Sequence, residues 1–331
     1  MNKKQWIGFF VALALSLVGI LYLWNKAGSF NLLSLNFLWL SLAFILFIFL
    51  WICDSAALYF ILKSNDCAIS IFLLYKITLC SYFFGSITPF QIGTIPALIV
   101  FLEKNNVPIE KGIPSIFLKC TINGALRALI SIVLAFYLKN TLDGGLSTTI
   151  FLVLLVYGFG AFTGYYLILC KDRKACSLRN WVSQVFLWLG KKIPSTNKAM
   201  CRIHSSFINS PLTLEPLLKK RNWIAPTLLS ILLFWSTLFS LPFVLVRALS
   251  QIAPFFDLFM VQAAYYMLQS FLPSPGGSGL AEISIGYIYT VFIGGTSPTF
   301  TFLLRFFTYY LPLSVGAIFL FTNKKSLSNQ K

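Results

Sequence analysis

Charged and amide side chains interrupt several strongly apolar stretches of this 331-residue sequence. A charge inside a membrane helix costs about 2.5–3.5 kcal/mol on insertion scales, so each one needs a partner or a ligand. Lys119, Asn123 and Arg127 lie four residues apart and therefore share one face of a helix. We expect substrate-binding roles for six side chains: Lys119, Asn123, Arg127, Glu282, Arg305 and Tyr309.

Structural pairing is the alternative role for the charged members of this set. Lys119, Glu282 and Arg305 would then form buried ion pairs, and Arg127 would pair or extend to the membrane interface. Two further charges in apolar stretches, Asp54 and Lys76, have opposite signs. We expect these two to neutralise each other.

The sequence lacks the residue patterns of the common catalytic and metal sites. His204 is the only histidine, which excludes a histidine-based zinc or haem site, and neither a nucleophile elbow nor a phosphate-binding Walker loop occurs. The seven cysteines are an odd number without metal-ligand spacing, and several lie in apolar stretches, as small buried residues do. We therefore expect no metal, no cofactor and no catalytic residue.

The composition is that of an all-α polytopic membrane protein. The chain is 58% hydrophobic and 11% charged, with a mean hydropathy of +0.81. Runs of roughly 20 apolar residues cross a bilayer as helices, and continuous runs are unlike the alternating strands of a β-barrel. The predicted spans are 6–23, which we expect to be a retained first helix rather than a cleaved signal, and 37–62, 115–138, 148–170, 223–248 and 299–321.

Two further apolar regions, 70–102 and 258–294, are interrupted near their middles by "SITPFQIGTIPA" (86–97) and "PSPGGSGLAE" (273–282). We interpret each region as a re-entrant hairpin, because limbs of about 15 residues reach roughly 22 Å and fall short of a comfortable crossing. The residues expected to break the helices are Thr88, Pro89, Gly93, Pro96, Pro275, Gly276, Gly277 and Gly279.

The charge distribution predicts how the chain crosses the membrane. The net charge is +17, and 11 of the 26 Lys and Arg residues fall between Lys171 and Arg221, against two acidic residues there. Such a loop faces the anionic cytoplasmic leaflet of a cell membrane, and this distribution argues against a nucleic-acid partner. With two re-entrant hairpins, every basic cluster and both termini fall on the cytoplasmic side, although two full crossings per hairpin would give the same parity.

A shift of 186 residues aligns the two interruptions. It places Gly93 on Gly279 and Lys119 on Arg305, and it aligns the Thr-Pro pair of the first interruption with the Ser-Pro pair of the second. The charge rule orients the two halves in opposite directions, which is the inverted-topology repeat of many transporters. In such transporters the binding sites lie near the bilayer midplane, at broken helices.

The sequence thus predicts a single integral membrane domain over residues 1–331. Repeat half one covers about 37–138, the basic cytoplasmic loop covers 171–222, and repeat half two covers about 223–321. Irregular backbone at membrane depth persists only where protein buries it or water lines it. A helix that begins near Gly279 would direct its positive dipole end into the membrane, with a carboxylate in its first turn, so we expect a binding site there.

Four segments carry a resemblance to the lysylphosphatidylglycerol synthase transmembrane (flippase-like) family over nearly the whole chain. They read "SITPFQIGTIP", "LEKNNVPIEKGIPSIFLK", "FLPSPGGSGLAE" and "LLRFFTYYLPLSVG". A TPF-type break, a proline- and glycine-rich break with a downstream glutamate, and an arginine before paired tyrosines recur in that family. The first motif departs from the family, because relatives often have glycine-glycine-glutamine-proline where this chain has Gly93-Thr94-Ile95-Pro96. The matching positions are Thr88, Pro89, Phe90, Gly93, Pro96, Pro275, Gly276, Gly279, Glu282, Arg305, Tyr309 and Tyr310.

The resemblance implies a flippase that moves an anionic lipid, or a lipid-linked precursor, between membrane leaflets. In this hypothesis basic residues inside the helix bundle neutralise the headgroup phosphate. One alternative is the membrane part of a phosphatidylglycerol lysyltransferase-type lipid aminoacylation system that acts with a separate enzyme partner, and another is a non-transporting scaffold. Only "TNKKSLSNQK" follows the last predicted span, so we expect no soluble synthase domain and no enzymatic activity of this chain alone.

Overall fold

The computed structural model describes residues 35–88, 90–139, 208–269, 272, 274–289 and 298–322, together with scattered positions in 14–25 and 152–205. Within these residues the regular secondary structure is helical. A π-helical turn, Phe306–Tyr310, joins the last two helices. The helices are α1 (Phe37–Ser64), α2 (Ile71–Ser86), α3 (Thr94–Lys104), α4 (Ile109–Lys139), α5 (Ser210–Lys219), α6 (Ile224–Ala248), α7 (Phe255–Gln269), α8 (Leu280–Ile288), α9 (Pro298–Arg305) and α10 (Leu311–Thr322).

Four helical segments of the described residues are long and apolar enough to cross a membrane. They are α1, α4, α6 and the continuous run Pro298–Thr322, which is made by α9, the π-helical turn and α10. These segments coincide with four of the predicted spans, and the chain is therefore an all-α membrane protein. The predicted spans 6–23 and 148–170 lie largely outside the described residues.

Both predicted helix breaks are present. The first apolar region ends its first helix at Ser86 and resumes at Thr94, and the second ends at Gln269 and resumes at Leu280. The four limbs α2, α3, α7 and α8 contain 16, 11, 15 and 9 residues. At 1.5 Å per residue they extend roughly 13–24 Å, less than the roughly 30 Å hydrocarbon core.

The chain folds into two compact units, each assembled from separate stretches of sequence. Unit 1 comprises Met1–Cys53, Tyr75–Leu98 and Leu232–Lys331, and unit 2 comprises Asp54–Leu74 and Ile99–Ile231. Unit 1 contains both helix breaks and the π-helical turn. One of its buried clusters brings α2 against the π-helical turn and α10 through Phe83, Ile87, Tyr309 and Leu313.

Unit 2 contains the junctions between α1 and α2, between α3 and α4, and between α5 and α6. A buried apolar cluster of Ile61, Leu118, Leu214, Leu217 and Trp223 holds α5 against the ends of α1 and α4. The indole Nε1 of Trp223 donates a hydrogen bond to the Leu217 carbonyl oxygen at 2.9 Å, which fixes the turn between α5 and α6.

Polar contacts bring these three junctions to one end of unit 2. Lys220 Nζ lies 2.9 Å from Asp66 Oδ2, and the Asn65 amide donates to Ser115 Oγ at 3.5 Å.

Candidate functional site

The second helix break depends on glycines that adopt left-handed backbone. Gly276, Gly277 and Gly279 have φ values of 59°, 73° and 85°, a region that other residues enter only with strain. A Cβ on Gly276 would lie 2.1 Å from the Tyr309 ring, so this position also requires a very close approach. A side chain at Gly276 would therefore meet both backbone strain and a steric clash.

Glu282 closes the start of α8. Its Oε2 accepts a hydrogen bond from the Gly279 N–H at 2.7 Å, which is the carboxylate half of a capping box. A second polypeptide segment packs tightly on this turn, because a Cβ on Gly19 would lie 3.1 Å from both Glu282 Cβ and the Gly279 carbonyl oxygen. The carboxylate is therefore buried beside a helix N-terminus, where its charge is favoured.

Arg305, the last residue of α9, forms a buried ion pair with Glu282. Its Nε lies 2.8 Å from Glu282 Oε1, and the two side chains are 1% and 0% exposed. Its Nη2 donates to the Gly276 carbonyl oxygen at 3.2 Å, and its guanidinium lies 4.3 Å from the centre of the Tyr309 ring. The Tyr310 hydroxyl donates a hydrogen bond to Glu282 Oε1 at 3.2 Å. Four residues therefore contact the pair, namely Gly276, Gly279, Tyr309 and Tyr310.

The π-helical turn after Arg305 has a local cause. In an α-helix the Thr308 carbonyl oxygen would accept from the N–H of residue 312, but Pro312 has none. The Tyr82 hydroxyl of α2 supplies a hydrogen bond to that oxygen at 2.9 Å, and Leu311 N–H bonds instead to the Phe306 carbonyl oxygen, five residues back. Such turns occur frequently at functional sites.

The first helix break is organised by Thr88. Its Oγ1 donates toward the Gly85 carbonyl oxygen at 2.9 Å and accepts from the Gly93 N–H at 2.9 Å. A Cβ on Gly93 would lie 2.5 Å from the Phe84 carbonyl oxygen, so glycine is required for packing. Positive φ falls here on other residues, with 53° at Phe90 and 55° at the next residue.

The polar stripe of α4 lies in unit 2. Lys119 Nζ lies 2.7 Å from Asp54 Oδ1, and the two side chains are 10% and 19% exposed. Asn123 and Arg127 follow on the same helix and are half-buried. The expectation that Asp54 would pair with Lys76 is wrong, because Asp54 pairs with Lys119 of α4 instead.

The predicted site residues thus form three groups. The first group lies at the second break and contains Glu282, Arg305 and Tyr309. The second group lies at the first break and contains Thr88, Gly93 and, in the first turn of α3, Pro96. The third group lies on α4 in unit 2 and contains Lys119, Asn123 and Arg127. Pro89 lies outside the described residues. Pro275 and Gly277 form the turn that precedes α8, where Ser278 N–H donates to the Pro275 carbonyl oxygen at 3.0 Å.

Sequence reasoning missed the residues that fix this site from other segments. Gly19, Tyr82 and the Ser86 carbonyl oxygen contact the second break or the π-helical turn from more than 200 residues away in sequence. Pro312 was a usable signal, since a proline inside an apolar helix leaves a carbonyl oxygen in need of a donor.

Comparison with known proteins agrees with this architecture. The model of the family described as "Lysylphosphatidylglycerol synthase TM region" matches residues 6–316. The chain belongs to this family. It is also 23% identical over 333 residues to a UPF0104 membrane protein of Archaeoglobus fulgidus, with 94% of each chain covered. No solved structure matches the chain significantly.

Proposed function

We propose that this protein moves an anionic lipid, or a lipid-linked precursor, between the two leaflets of the cell membrane. The observation that carries the proposal is the fully buried Arg305–Glu282 pair beside a glycine-rich helix break. Replacing a buried ion pair by well-packed apolar residues is often neutral or stabilising, so stability alone does not account for the pair. A cation retained beside irregular backbone in an apolar chain supports a ligand-binding role.

The chemistry of Arg305 favours a phosphate-bearing headgroup. A guanidinium is planar and always charged, and it matches the geometry of phosphate oxygens through paired N–H donors. Glu282 holds this cation in the resting state, and Tyr309 stacks beside it. The site therefore holds the Arg305 cation in a fixed orientation, while the Arg305–Glu282 pair as a whole has no net charge. A headgroup phosphate would bind such a site weakly enough to be released again.

We extend the proposal to the membrane architecture: two re-entrant hairpins, an inverted repeat and cytoplasmic termini. The short limbs α3 and α8, with 11 and 9 residues, support re-entrance because neither is long enough to span the hydrocarbon core. Helix breaks that are buried by protein contacts can also lie at membrane depth, because irregular backbone is tolerated there only when protein or water satisfies it. Alternating access would then come from movement of one repeat against the other.

Cysteine labelling tests this architecture. In a chain whose native cysteines have been replaced, single cysteines at Asn106 and at Ser297 should react with a membrane-impermeant reagent from opposite sides of oriented vesicles. Reaction of both from the same side would refute the inverted repeat while leaving the transport hypothesis to a separate assay.

Lipid movement in proteoliposomes tests the function. Purified protein is reconstituted with fluorescent phosphatidylglycerol, and dithionite is added to destroy the fluorescence of the outer leaflet. Further loss of the fluorescence that began in the inner leaflet then reports the exchange between leaflets. We expect acceleration by the wild-type chain and loss of that acceleration in Arg305→Ala. Lys63→Ala, which removes an exposed cation, is the matched control and should retain the wild-type rate. A folded Arg305→Ala protein with wild-type transport would refute the phosphate-site proposal.

A lipid aminoacylation role is the second candidate, because the family description itself names a synthase region. In that case the chain would bind phosphatidylglycerol for a separate catalytic partner. The same vesicles distinguish the two: the purified chain would bind the lipid without accelerating its exchange, and aminoacylated lipid would form only when the partner enzyme is supplied.

A further inference from the structure

Among the described residues, one nitrogen of the buried Arg305 guanidinium has no hydrogen-bond partner. Nε is bonded to Glu282 and Nη2 to the Gly276 carbonyl oxygen, but Nη1 meets no acceptor among the residues that the structure describes. Arg305 is 0% exposed. A buried charged donor without an acceptor is costly, so this nitrogen indicates a place where an acceptor binds.

The Tyr265 hydroxyl of α7 is a second unsatisfied donor at the same place. Tyr265 is 4% exposed, and its hydroxyl interacts electrostatically with both Arg305 and Glu282. The hydroxyl also lies within hydrogen-bond reach of the Arg305 side chain, which is itself a donor. No described group accepts the Tyr265 proton in hydrogen-bond geometry. Two neighbouring donors, one charged and one neutral, therefore lack an acceptor among the described residues.

Gln262 contributes a third donor one turn earlier on the same face of α7. Its Oε1, as assigned, accepts a hydrogen bond from the Tyr289 hydroxyl, so its amide nitrogen is directed elsewhere. That nitrogen is buried and has no partner within the described ranges. All three unsatisfied groups can donate hydrogen bonds, and the carboxylate of the site is already engaged by Arg305, Gly279 and Tyr310.

We propose that Arg305 Nη1 and the Tyr265 hydroxyl, with the Gln262 amide beside them, form an occluded oxyanion pocket that binds one oxygen of a phosphate group. The proposal deepens the proposed function and rests on it, because it identifies the atoms that would contact the headgroup. It also adds Tyr265, which the sequence did not single out. A phosphodiester oxygen accepts strong hydrogen bonds from both a guanidinium and a phenol.

The arrangement permits binding without separation of the Arg305–Glu282 pair. Nε and Nη2 keep their protein partners while Nη1 turns to the ligand. Because Glu282 already neutralises the cation, hydrogen bonds rather than net charge would hold the phosphate, and release would stay easy. All three donors are buried, so the headgroup enters only when the packing around them opens.

Ligand binding to the purified full-length chain in detergent tests the pocket. The probes are short-chain phosphatidylglycerol, inorganic phosphate, and a diacylglycerol of equal chain length that lacks phosphate. Tyr265→Phe removes only the hydroxyl oxygen, and Tyr75→Phe is the matched control, since Tyr75 packs edge-on against Phe319. We expect Tyr265→Phe to weaken phosphatidylglycerol binding about tenfold, as loss of one hydrogen bond to a charged group does, and to leave diacylglycerol binding unchanged.

The thermal stability of the free protein gives an independent readout. Because the Tyr265 hydroxyl has no partner within the described ranges, Tyr265→Phe should leave the melting temperature of the ligand-free chain unchanged or raise it. A marked decrease would mean that the hydroxyl stabilises the fold, and this would overturn the proposal. Gln262→Glu, which keeps an acceptor for Tyr289 and removes the amide donor, should also weaken phosphatidylglycerol binding.

The ligand arms separate the possible outcomes. If Tyr265→Phe weakens the binding of both inorganic phosphate and phosphatidylglycerol, the pocket binds free phosphate as well as the lipid headgroup. If it weakens the binding of phosphatidylglycerol alone, the pocket is specific for the headgroup. Equal affinities of wild type and Tyr265→Phe for every probe would overturn the pocket, as expected if the donors serve buried water. If binding depends on Tyr265 but the protein exchanges no lipid in vesicles, the transport hypothesis is refuted and the pocket is retained. If the protein exchanges lipid and Tyr265→Phe has no effect, the pocket is refuted and the transport hypothesis is retained.

Discussion

The Tyr309 hydroxyl donates a hydrogen bond to the Ser86 carbonyl oxygen at 3.2 Å, across 223 residues of sequence. Ser86 is the last residue of α2, at the edge of the first helix break, and the Tyr309 ring lies against Gly276 in the second break. One side chain therefore contacts both interruptions. Since Arg305 also lies over this ring, the geometry of the ion pair depends on both breaks.

Gly276→Ala should disturb this contact more than an ordinary glycine substitution does. The new Cβ would lie 2.1 Å from the Tyr309 ring at a φ of 59°, so we expect the free energy of unfolding to fall by about 2–4 kcal/mol. Gly160→Ala is the control, because its new Cβ would meet no described atom within 4 Å outside the adjoining backbone, and it should be neutral or slightly stabilising. Melting temperatures in detergent measure both.

A second substitution separates the clash from the backbone strain. Gly276→Ala combined with Tyr309→Ala removes the steric conflict, so the cost of the alanine at 276 should shrink to that of its positive φ. Equal costs in the two backgrounds would show that the close approach has no energetic role. Gly279→Val, at a φ of 85°, should abolish folding or transport, because a β-branched residue does not adopt that backbone.

The sequence predicted the elements of this site better than their contacts. Composition and periodic runs located α1, α4, α6 and Pro298–Thr322, and the proline and glycine residues located both breaks. Arg305 and Glu282 stood out because charges are costly in apolar helices. These are local properties, and local sequence is sufficient to specify them.

The partners of these residues depend on tertiary packing instead. The repeat aligns Lys119 with Arg305, yet Lys119 pairs with Asp54 while Arg305 pairs with Glu282. A shift of 186 residues from Asp54 gives Ser240, so the acidic partners do not follow the repeat. Contacts such as Tyr82 with Thr308 join segments 226 residues apart, and no sequence spacing encodes them.

Acid should weaken the ion pair at the junction of α1 and α2. The hydrogen bond and charge of Lys220, with Lys111 nearby, hold the pKa of Asp66 below its usual value. A carboxyl group with a lowered pKa in the folded state stabilises the fold above its unfolded pKa of about 4, and this contribution is lost as the pH falls through the folded value.

The measurement compares melting temperatures of wild type and Asp66→Asn over a range from about pH 7 to about pH 3. We expect a small difference near neutral pH, because the pair is exposed, and convergence of the two proteins in acid. Lys220→Met should abolish the same pH dependence. A difference between wild type and Asp66→Asn that stays constant with pH would contradict the assignment.

Arg305→Lys should impair lipid exchange more than Lys119→Arg does. A lysine at 305 keeps the charge but loses the bond to the Gly276 carbonyl oxygen, the stacking on Tyr309 and the unsatisfied Nη1. Lys119→Arg keeps a cation beside Asp54, which requires only a single contact. The exchange rate in proteoliposomes, recorded together with thermal stability, measures both.

One control variant and the stability measurements interpret that comparison. Glu282→Gln leaves a buried cation without its counter-charge and should lower the free energy of unfolding by about 3–5 kcal/mol. A stable Arg305→Lys protein with lost exchange would then assign the loss to ligand contact rather than to folding. Greater impairment by Lys119→Arg than by Arg305→Lys would move the phosphate site to unit 2.

The π-helical turn provides the last prediction, because its cause lies in one atom. Tyr82→Phe removes the donor to the Thr308 carbonyl oxygen and should destabilise the protein by about 1–3 kcal/mol. Pro312→Ala supplies a backbone N–H that can bond to the same oxygen as in an ordinary α-helix. In the Pro312→Ala background, Tyr82→Phe should therefore cost less, with a coupling of about 0.5–3 kcal/mol in a double-mutant cycle.

Additive effects would mean that Tyr82 and Pro312 act independently. A stable Pro312→Ala protein that has lost lipid exchange would show that the π-helical turn itself positions Arg305 and Tyr309.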